Sequence, residues 1–356
     1  MFSEQQSSWL WRLSQSPCHD DCRRGHLVRW ERPVGLLIGY LADRVFGDPS
    51  RYHPVAGFGR LAGALERRWY ADNRGRGAAY AVTLVGGFVV AGLVAEGSVQ
   101  ARSGAKVVVT AAATWMVLGG QSLEREADAV HQFLAAGDLP GARQRLTHLV
   151  GRDTSQLSAD EISRAVIESV AENTSDAVVA PLVWGSVAGV PGLIGYRAAN
   201  TLDAMVGHRS VRYSRFGWAS ARLDDALNLP GARLAGLLTA VAAPANAGAT
   251  LAAWRRDAAT HPSPNAGVIE AAFAGALDLR LGGTNRYGDQ VEHRATMGTG
   301  RPPKPDDIGR SVRLSRRVGL LAALVCAGAG MLQRAQRQGP SVSRVRAGDQ
   351  RPGCHR

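Results

Sequence analysis

Five stretches of this chain contain no Asp, Glu, Lys or Arg: residues 77–95, 107–123, 177–196, 234–254 and 318–333. Crossing the hydrocarbon core of a bilayer takes roughly 20 apolar residues, within a range of about 17 to 25. The first four runs meet that length and the fifth is short. A sixth apolar run, 33–47, is interrupted by Asp43 and Arg44. Mean hydropathy is only −0.11, because the apolar residues are segregated from polar loops rather than spread through the chain. Buried helices of a soluble all-α protein would also be apolar, and the Ala and Gly content of these runs suits either setting. The lengths favour insertion. The expected fold is all-α: a polytopic helical membrane protein with four to six apolar helices and amphipathic helices and loops between them.

The net charge of +12 does not indicate nucleic acid. Lys106 and Lys304 are the only lysines, so the positive charge is almost all arginine. Arginines flank the apolar runs, as at Arg67, Arg68, Arg255, Arg256, Arg316 and Arg317, the placement expected beside anionic lipid. No nucleic-acid-binding motif accompanies them. Cys18 and Cys22 form one C-x-x-x-C among four cysteines, too few ligands for a closed zinc site. Residues 1–32 and 334–356 are polar and irregular and are expected to lack a packed fold, leaving 33–333 as the membrane domain. Residues 1–32 also lack the apolar core of a signal peptide.

Helical periods dominate the remainder. Residues 123–153 read as two short amphipathic helices broken at 137–141, and Ser158 opens a capping box with Glu161. On the next helix Ile162, Val166 and Val170 form one stripe, while Glu161, Glu168 and Glu172 fall within about 40° of one another on another face. Pro181, Pro191 and several glycines mark 177–196 as kinked or re-entrant. Residues 254–316 read as loops around a short helix, 268–277.

Polar clusters sit beside these apolar runs, where ionisable groups are functional candidates. Glu168, Glu172, Asn173 and Asp176 place carboxylates side by side, which calls for a cation or a proton unless the face is solvated. Mg²⁺ held by one or two carboxylates together with phosphates would suit them. Arg197, Asn200, Asp203 and His208 offer a bidentate anion fork or a structural Arg–Asp pair. Arg222, Asp224, Asp225 and Asn228 resemble a metal or ammonium clamp, or an Arg222–Asp225 pair. Asp43, Asp48, Arg51 and His53 close the first apolar helix, and His261 with Asn265, and Asn285 with Tyr287, lie on Gly/Pro-rich loops of the kind that line sites. The P-loop, G-x-S-x-G, H-E-x-x-H and Rossmann signatures are absent. The residues alone give an acidic, Arg-containing site near a membrane and name no reaction.

Four ordered blocks resemble the CobD/CbiB family of cobalamin biosynthesis: LADRVFGDPSRYHPV; AENTSDAVVAPL with YRAANTLDAMVG; FGWASARLDDALN; and HPSPNAG with EAAFAGAL and LRLGG. Gly231 interrupts the family-like Pro-Ala after the third block. The resemblance implies a multi-pass enzyme of the cytoplasmic membrane. It would join the f propionate carboxylate of adenosylcobyric acid to (R)-1-amino-2-propanol or its O-phosphate, consuming ATP and giving adenosylcobinamide or its phosphate. On that reading Glu168, Glu172 and Asp176 hold Mg²⁺, and Asp203, Asp224 and Asp225 serve the amine. Arg197, Asn200, Arg222, Asn228, His261, Asn265, Asp43, Asp48 and His53 bind phosphate or substrate. Other enzymes of the pathway are possible partners. The competing reading is an AmpE-like membrane sensor without ligase activity, which would not need the corrinoid blocks. A transporter would show inverted repeats, and none is visible. ATP reaches a membrane protein from one side, so the motif blocks must converge there. The proline-rich run 177–196 is the segment expected to re-enter.

Overall fold

The structure, a computed structural model, describes residues 30–48, 54–208, 210–287 and 290–337. The expected terminal extensions, the Cys18/Cys22 pair, Arg51 and His53 therefore lie outside the described residues, apart from a few residues at the inner ends of the extensions. The chain is helical almost throughout: α1 (Glu31–Phe46), α2 (Pro54–Trp69), α3 (Arg74–Ser98), α4 (Ser103–Val117), α5 (Gly120–Ala135), α6 (Leu139–Leu146) and α7 (Ala159–Thr174). There follow α8 (Ala180–Leu202), α9 (Trp218–Ala242), α10 (Ala247–Asp257), α11 (Ala266–Leu277) and α12 (Pro305–Arg337).

The expected break between α5 and α6 is present, and Ser158 and Glu161 form the capping box. Ile162, Val166 and Val170 are fully buried, and α7 packs them among α5, α11 and α12. A second apolar cluster joins Phe58, Tyr80, Leu84, Leu202 and Phe216.

Two apolar runs depart from the expected spans. Residues 107–123 break at Leu118–Gly119, leaving α4 with 15 residues. Residues 234–254 bend by 105° between α9 and the helices after Pro244, since a proline cannot continue the helical ladder. By length and composition, α3 and the run Ala159–Gly207 can each cross a membrane, and the bent pair makes a third.

The run Ala159–Gly207 is not one straight rod. Gly189 has φ 70° and ψ −147°, a backbone region essentially reserved for glycine. The Tyr196 hydroxyl lies 2.8 Å from the Asp176 carbonyl oxygen, although twenty residues of straight helix would separate them by ~30 Å. A Cβ on Gly185 would come within 2.8 Å of Leu193 Cδ2. The chain therefore folds back at Gly189 into a helical hairpin, as the proline-rich composition predicted. Each arm, from Asp176 to the tip and from the tip to Asp203, is roughly 20 Å long at ~1.5 Å per residue.

The turn frees backbone groups inside an apolar environment, where they need partners. Val190 N–H donates to Glu96 Oε2 at 3.1 Å, and Arg32 donates to the carbonyls of Ser186 and Val187 at 3.3 Å each. Arg32 and Glu96 themselves pair at 3.0 Å. Pro191 at the tip packs on Gly92 of α3, where a Cβ would stand 2.7 Å from Pro191 Cα.

Residues 281–297, expected as loop, form an antiparallel pair of strands, β1 (Leu281–Tyr287) and β2 (Gln290–Met297). The pair docks on α7. Gly282 N–H donates to Glu168 Oε1 at 2.8 Å, and Arg164 donates to the Gly282 carbonyl at 2.6 Å.

Candidate functional site

Two π-helical turns interrupt the long helical run, Ser175–Val179 and Asp203–Gly207. Such turns recur at functional sites, and here each carries a carboxylate singled out by its spacing, Asp176 and Asp203. The hairpin returns Asp203 to the level of Asp176. Both line a cavity of about 570 Å³.

That cavity gathers most of the expected residues. Glu172 comes from α7, Asp176 and Asp203 from the two π turns, and Arg222, Asp224, Asp225 and Asn228 from the first turns of α9. His261 and Asn265 arrive on the loop before α11, with His208 at the end of the second arm. Arg294 of β2 completes the wall. Sequence reasoning missed it because its segment reads as loop.

A chain of hydrogen bonds sets the orientation of Asp224. Asn200 Nδ2 reaches its Oδ1 at 3.3 Å and Asn228 Nδ2 its Oδ2 at 2.9 Å. The Tyr196 hydroxyl, 2.7 Å from Asn228 Oδ1, fixes which end of that amide faces Asp224. The backbone carbonyl of Asp225 accepts from Asn265 Nδ2 at 2.8 Å, and Asn265 Oδ1 accepts from Arg233 at 2.6 Å. The His261 loop is thereby tied to α9. Ser263 N–H donates to His261 Nδ1 at 3.0 Å.

Glu168 does not line the large cavity with Glu172 and Asp176. It pairs with Arg152 at 3.2 Å, accepts the Gly282 N–H, and lines a separate cavity of about 150 Å³. Its carboxylate holds the strand pair on α7, whereas Glu172 and Asp176, expected with it as metal ligands, line the large cavity. Glu172 and Arg294 belong to the walls of both cavities. Glu270 of α11 faces the small cavity with only 2 % of its surface exposed. Burial pushes its carboxyl well above the usual carboxylate range, and the charges of Glu168 and Glu172 add to the effect.

Arg197 also lies outside the large cavity. It lines an apolar cleft of about 300 Å³ between α2, α3, α4 and α8, and its Nη1 reaches Asn200 Oδ1 at 3.5 Å. Asp48 and Asp176 are among its charged neighbours. Asp43, fully buried, accepts Gln121 N–H at 3.3 Å, and Asp48 N–H donates to Ser122 at 3.3 Å. These two aspartates flank the α1–α5 junction rather than the large cavity. The side chains of Asn285 and Tyr287 lie outside the described ones.

The carboxylates of the large cavity offer hard oxygen donors, the chemistry of Mg²⁺, and the imidazoles of His208 and His261 line it beside them. Among the described residues no three His, Cys, Asp or Glu side chains stand together as a ready-made metal cage. Mg²⁺ does not require one, since it keeps waters and substrate phosphates in its shell. The residues fit such an ion.

Fold and cavity together define the class: a helical membrane protein with an acidic, arginine-flanked pocket at the open end of a re-entrant hairpin. The CobD/Cbib protein family matches residues 36–315. The chain is 52% identical over 300 residues, 83% of its length and 95% of the relative's, to "Cobalamin biosynthesis protein CobD" of Mycobacterium tuberculosis H37Rv. It is 46% identical over 306 residues to the protein of the same name from Rhodobacter capsulatus, covering 81% and 97% of the two chains. The chain belongs to the CobD/CbiB family. No solved structure matches it.

Proposed function

We propose that the protein acts in cobalamin biosynthesis as an ATP-dependent amide-forming ligase of the cytoplasmic membrane. Its substrates would be adenosylcobyric acid and (R)-1-amino-2-propanol or its O-phosphate. The observation that carries this reading is the large cavity, where residues of three separate family-like blocks meet. An AmpE-like sensor has no need of such a gathering.

A carboxylate does not acylate an amine in water until one oxygen becomes a leaving group. In the proposed sequence a propionate oxygen takes the terminal phosphoryl group of ATP, and ADP leaves. The amine lone pair then closes on the acyl carbon, and phosphate departs with the C–O electron pair. One proton is lost from the ammonium before attack and a second from nitrogen afterwards. Asp203, Asp224 and Asp225 form the acidic wall that accepts them. Arg222 and Arg294 face the phosphates. Mg²⁺ on Glu172 and Asp176 would offset phosphate charge during the transfer. A corrinoid is larger than this cavity, so only its propionate arm enters. Asp48 and Arg197 would meet the rest of the substrate.

The test is to incubate membranes carrying the protein with adenosylcobyric acid, either amine and Mg-ATP, and separate the corrinoids by chromatography. Amide product that depends on ATP supports the ligase. Corrinoid binding without turnover under any amine would favour the sensor.

A further inference from the structure

The small cavity beside the large one has a composition that the activation of a carboxylate does not use. Arg152, Glu168, Ser169, Glu172, Glu270 and Arg294 supply its polar wall. Glu168 is already held by Arg152 and the Gly282 N–H. Glu270 is different: its Oε2 is buried and has no hydrogen-bond partner among the described residues. Its Oε1 stands 3.7 Å from His261 Nε2, beyond hydrogen-bond length. Buried carboxylates are ordinarily satisfied, so an orphaned oxygen facing a cavity points to a ligand with donors.

We propose that the small cavity is the amine subsite of the ligase and that Glu270 binds the substrate's ammonium group. The inference rests on the ligase reading and adds to it where the second substrate sits. An ammonium offers three donors and a positive charge, matching an orphaned carboxylate oxygen. At ~30 Å³ per water-sized group, about 150 Å³ accommodates a three-carbon amino alcohol. Arg152 and Arg294 line the cavity with guanidinium groups suited to its hydroxyl oxygen. Glu172 and Arg294 are shared with the large cavity, so a nitrogen held at Glu270 waits beside the place where the acyl group forms.

The decisive experiment compares two nucleophiles on the full chain in detergent with Mg-ATP and adenosylcobyric acid. One is 1-amino-2-propanol. The other is hydroxylamine, which is uncharged near neutral pH and traps acyl phosphates as hydroxamates without an ammonium subsite. In Glu270→Gln the KM for 1-amino-2-propanol should rise roughly 10- to 100-fold, as loss of a charged hydrogen bond implies. The hydroxylamine reaction and the KM for ATP should hold. Gly151 also lines the small cavity, and a Cβ there meets nothing within 4 Å. Gly151→Leu should therefore raise the same KM by bulk alone. A Glu270 that merely sits protonated would make Glu270→Gln silent, and that result overturns the subsite. Equal loss of both reactions overturns it too. A wild-type protein that yields neither amide nor hydroxamate sinks the ligase reading itself. Should Glu270→Gln fail to fold, Gly151→Leu decides.

Discussion

Glu172 is the residue on which most of the proposed chemistry converges. It is exposed on the walls of both cavities, one turn before Asp176 on the same helical run. Glu172→Gln keeps the shape and removes the charge, so turnover should drop on the order of 10²–10³, the usual cost of one lost electrostatic contact to a transferring group. Folding should survive, since repulsion with Glu168 is relieved. Turnover and thermal stability across a Mg²⁺ titration check both halves, and added Mg²⁺ should partly rescue the variant. Near-normal turnover would leave Glu172 as a solvated helix face. Asp43 gives a different readout. Burial, then the Asp48 charge, pushes its carboxyl up to about 6 against the pull of the Gln121 N–H. An unfolded Asp titrates near ~3.9, so the folded chain holds this proton more tightly. The resulting stability is complete below the unfolded value and lost as pH rises through the folded one. At ~1.36 kcal/mol per pKa unit, roughly 3 kcal/mol is involved. Asp43→Asn should flatten the fall in unfolding temperature between about pH 4 and 6.5, and parallel slopes for variant and wild type would refute the assignment. The acidic stripe was legible because carboxylates at helical spacing beside charge-free runs show without any tertiary information. Arg294 was not, because only the pairing of β2 with β1, which docks on α7, brings it to the cavity that Glu172 lines. Glu270 left a signal that went unused: a lone carboxylate in an otherwise uncharged helix.

At the scale of elements, the hairpin within Ala159–Gly207 governs the site. Two prolines and the glycines of 177–196 announce a break, and the break falls at Gly189. Gly189→Ala places a Cβ about where the Glu96 carboxylate and Arg32 guanidinium now lie, 2.5 and 2.7 Å away. It also forces a side chain into a backbone region that costs about 1–3 kcal/mol. The variant should unfold at lower temperature in detergent, by several degrees, and lose turnover as the arms shift. An unchanged melting profile would mean that the fold-back is not built as described. The bend after α9 was less legible, because Pro244 sits among alanines that would equally continue a span. The strand pair was missed for a similar reason: Gly282 and Gly283 read as a turn, whereas both take positive φ in an irregular β1 that grips Glu168. Neither element is set by local propensity alone.

For the molecule as a whole, the exposed apolar side chains are numerous enough to call for lipid. Val82, Val90, Leu93 and Val94 on α3, Leu237 and Val241 on α9, and Leu320 and Leu324 on α12 all face outward, more than a water-soluble surface ordinarily tolerates. The protein should sediment with membranes and require detergent. Monodisperse, active material from a detergent-free soluble fraction would contradict this. The hairpin arms, roughly 20 Å long, fall short of the ~30 Å hydrocarbon core, and the fold-back brings Asp203 to the same end of the hairpin as Asp176. At the far end the Arg32–Glu96 pair clasps the tip. On the proposed ligase reading, such an architecture would act like a well with one mouth: whatever is drawn in would leave by the same opening. Substrates and finished corrinoid would exchange with a single compartment, and a scarce, costly intermediate would stay in the pool that uses it.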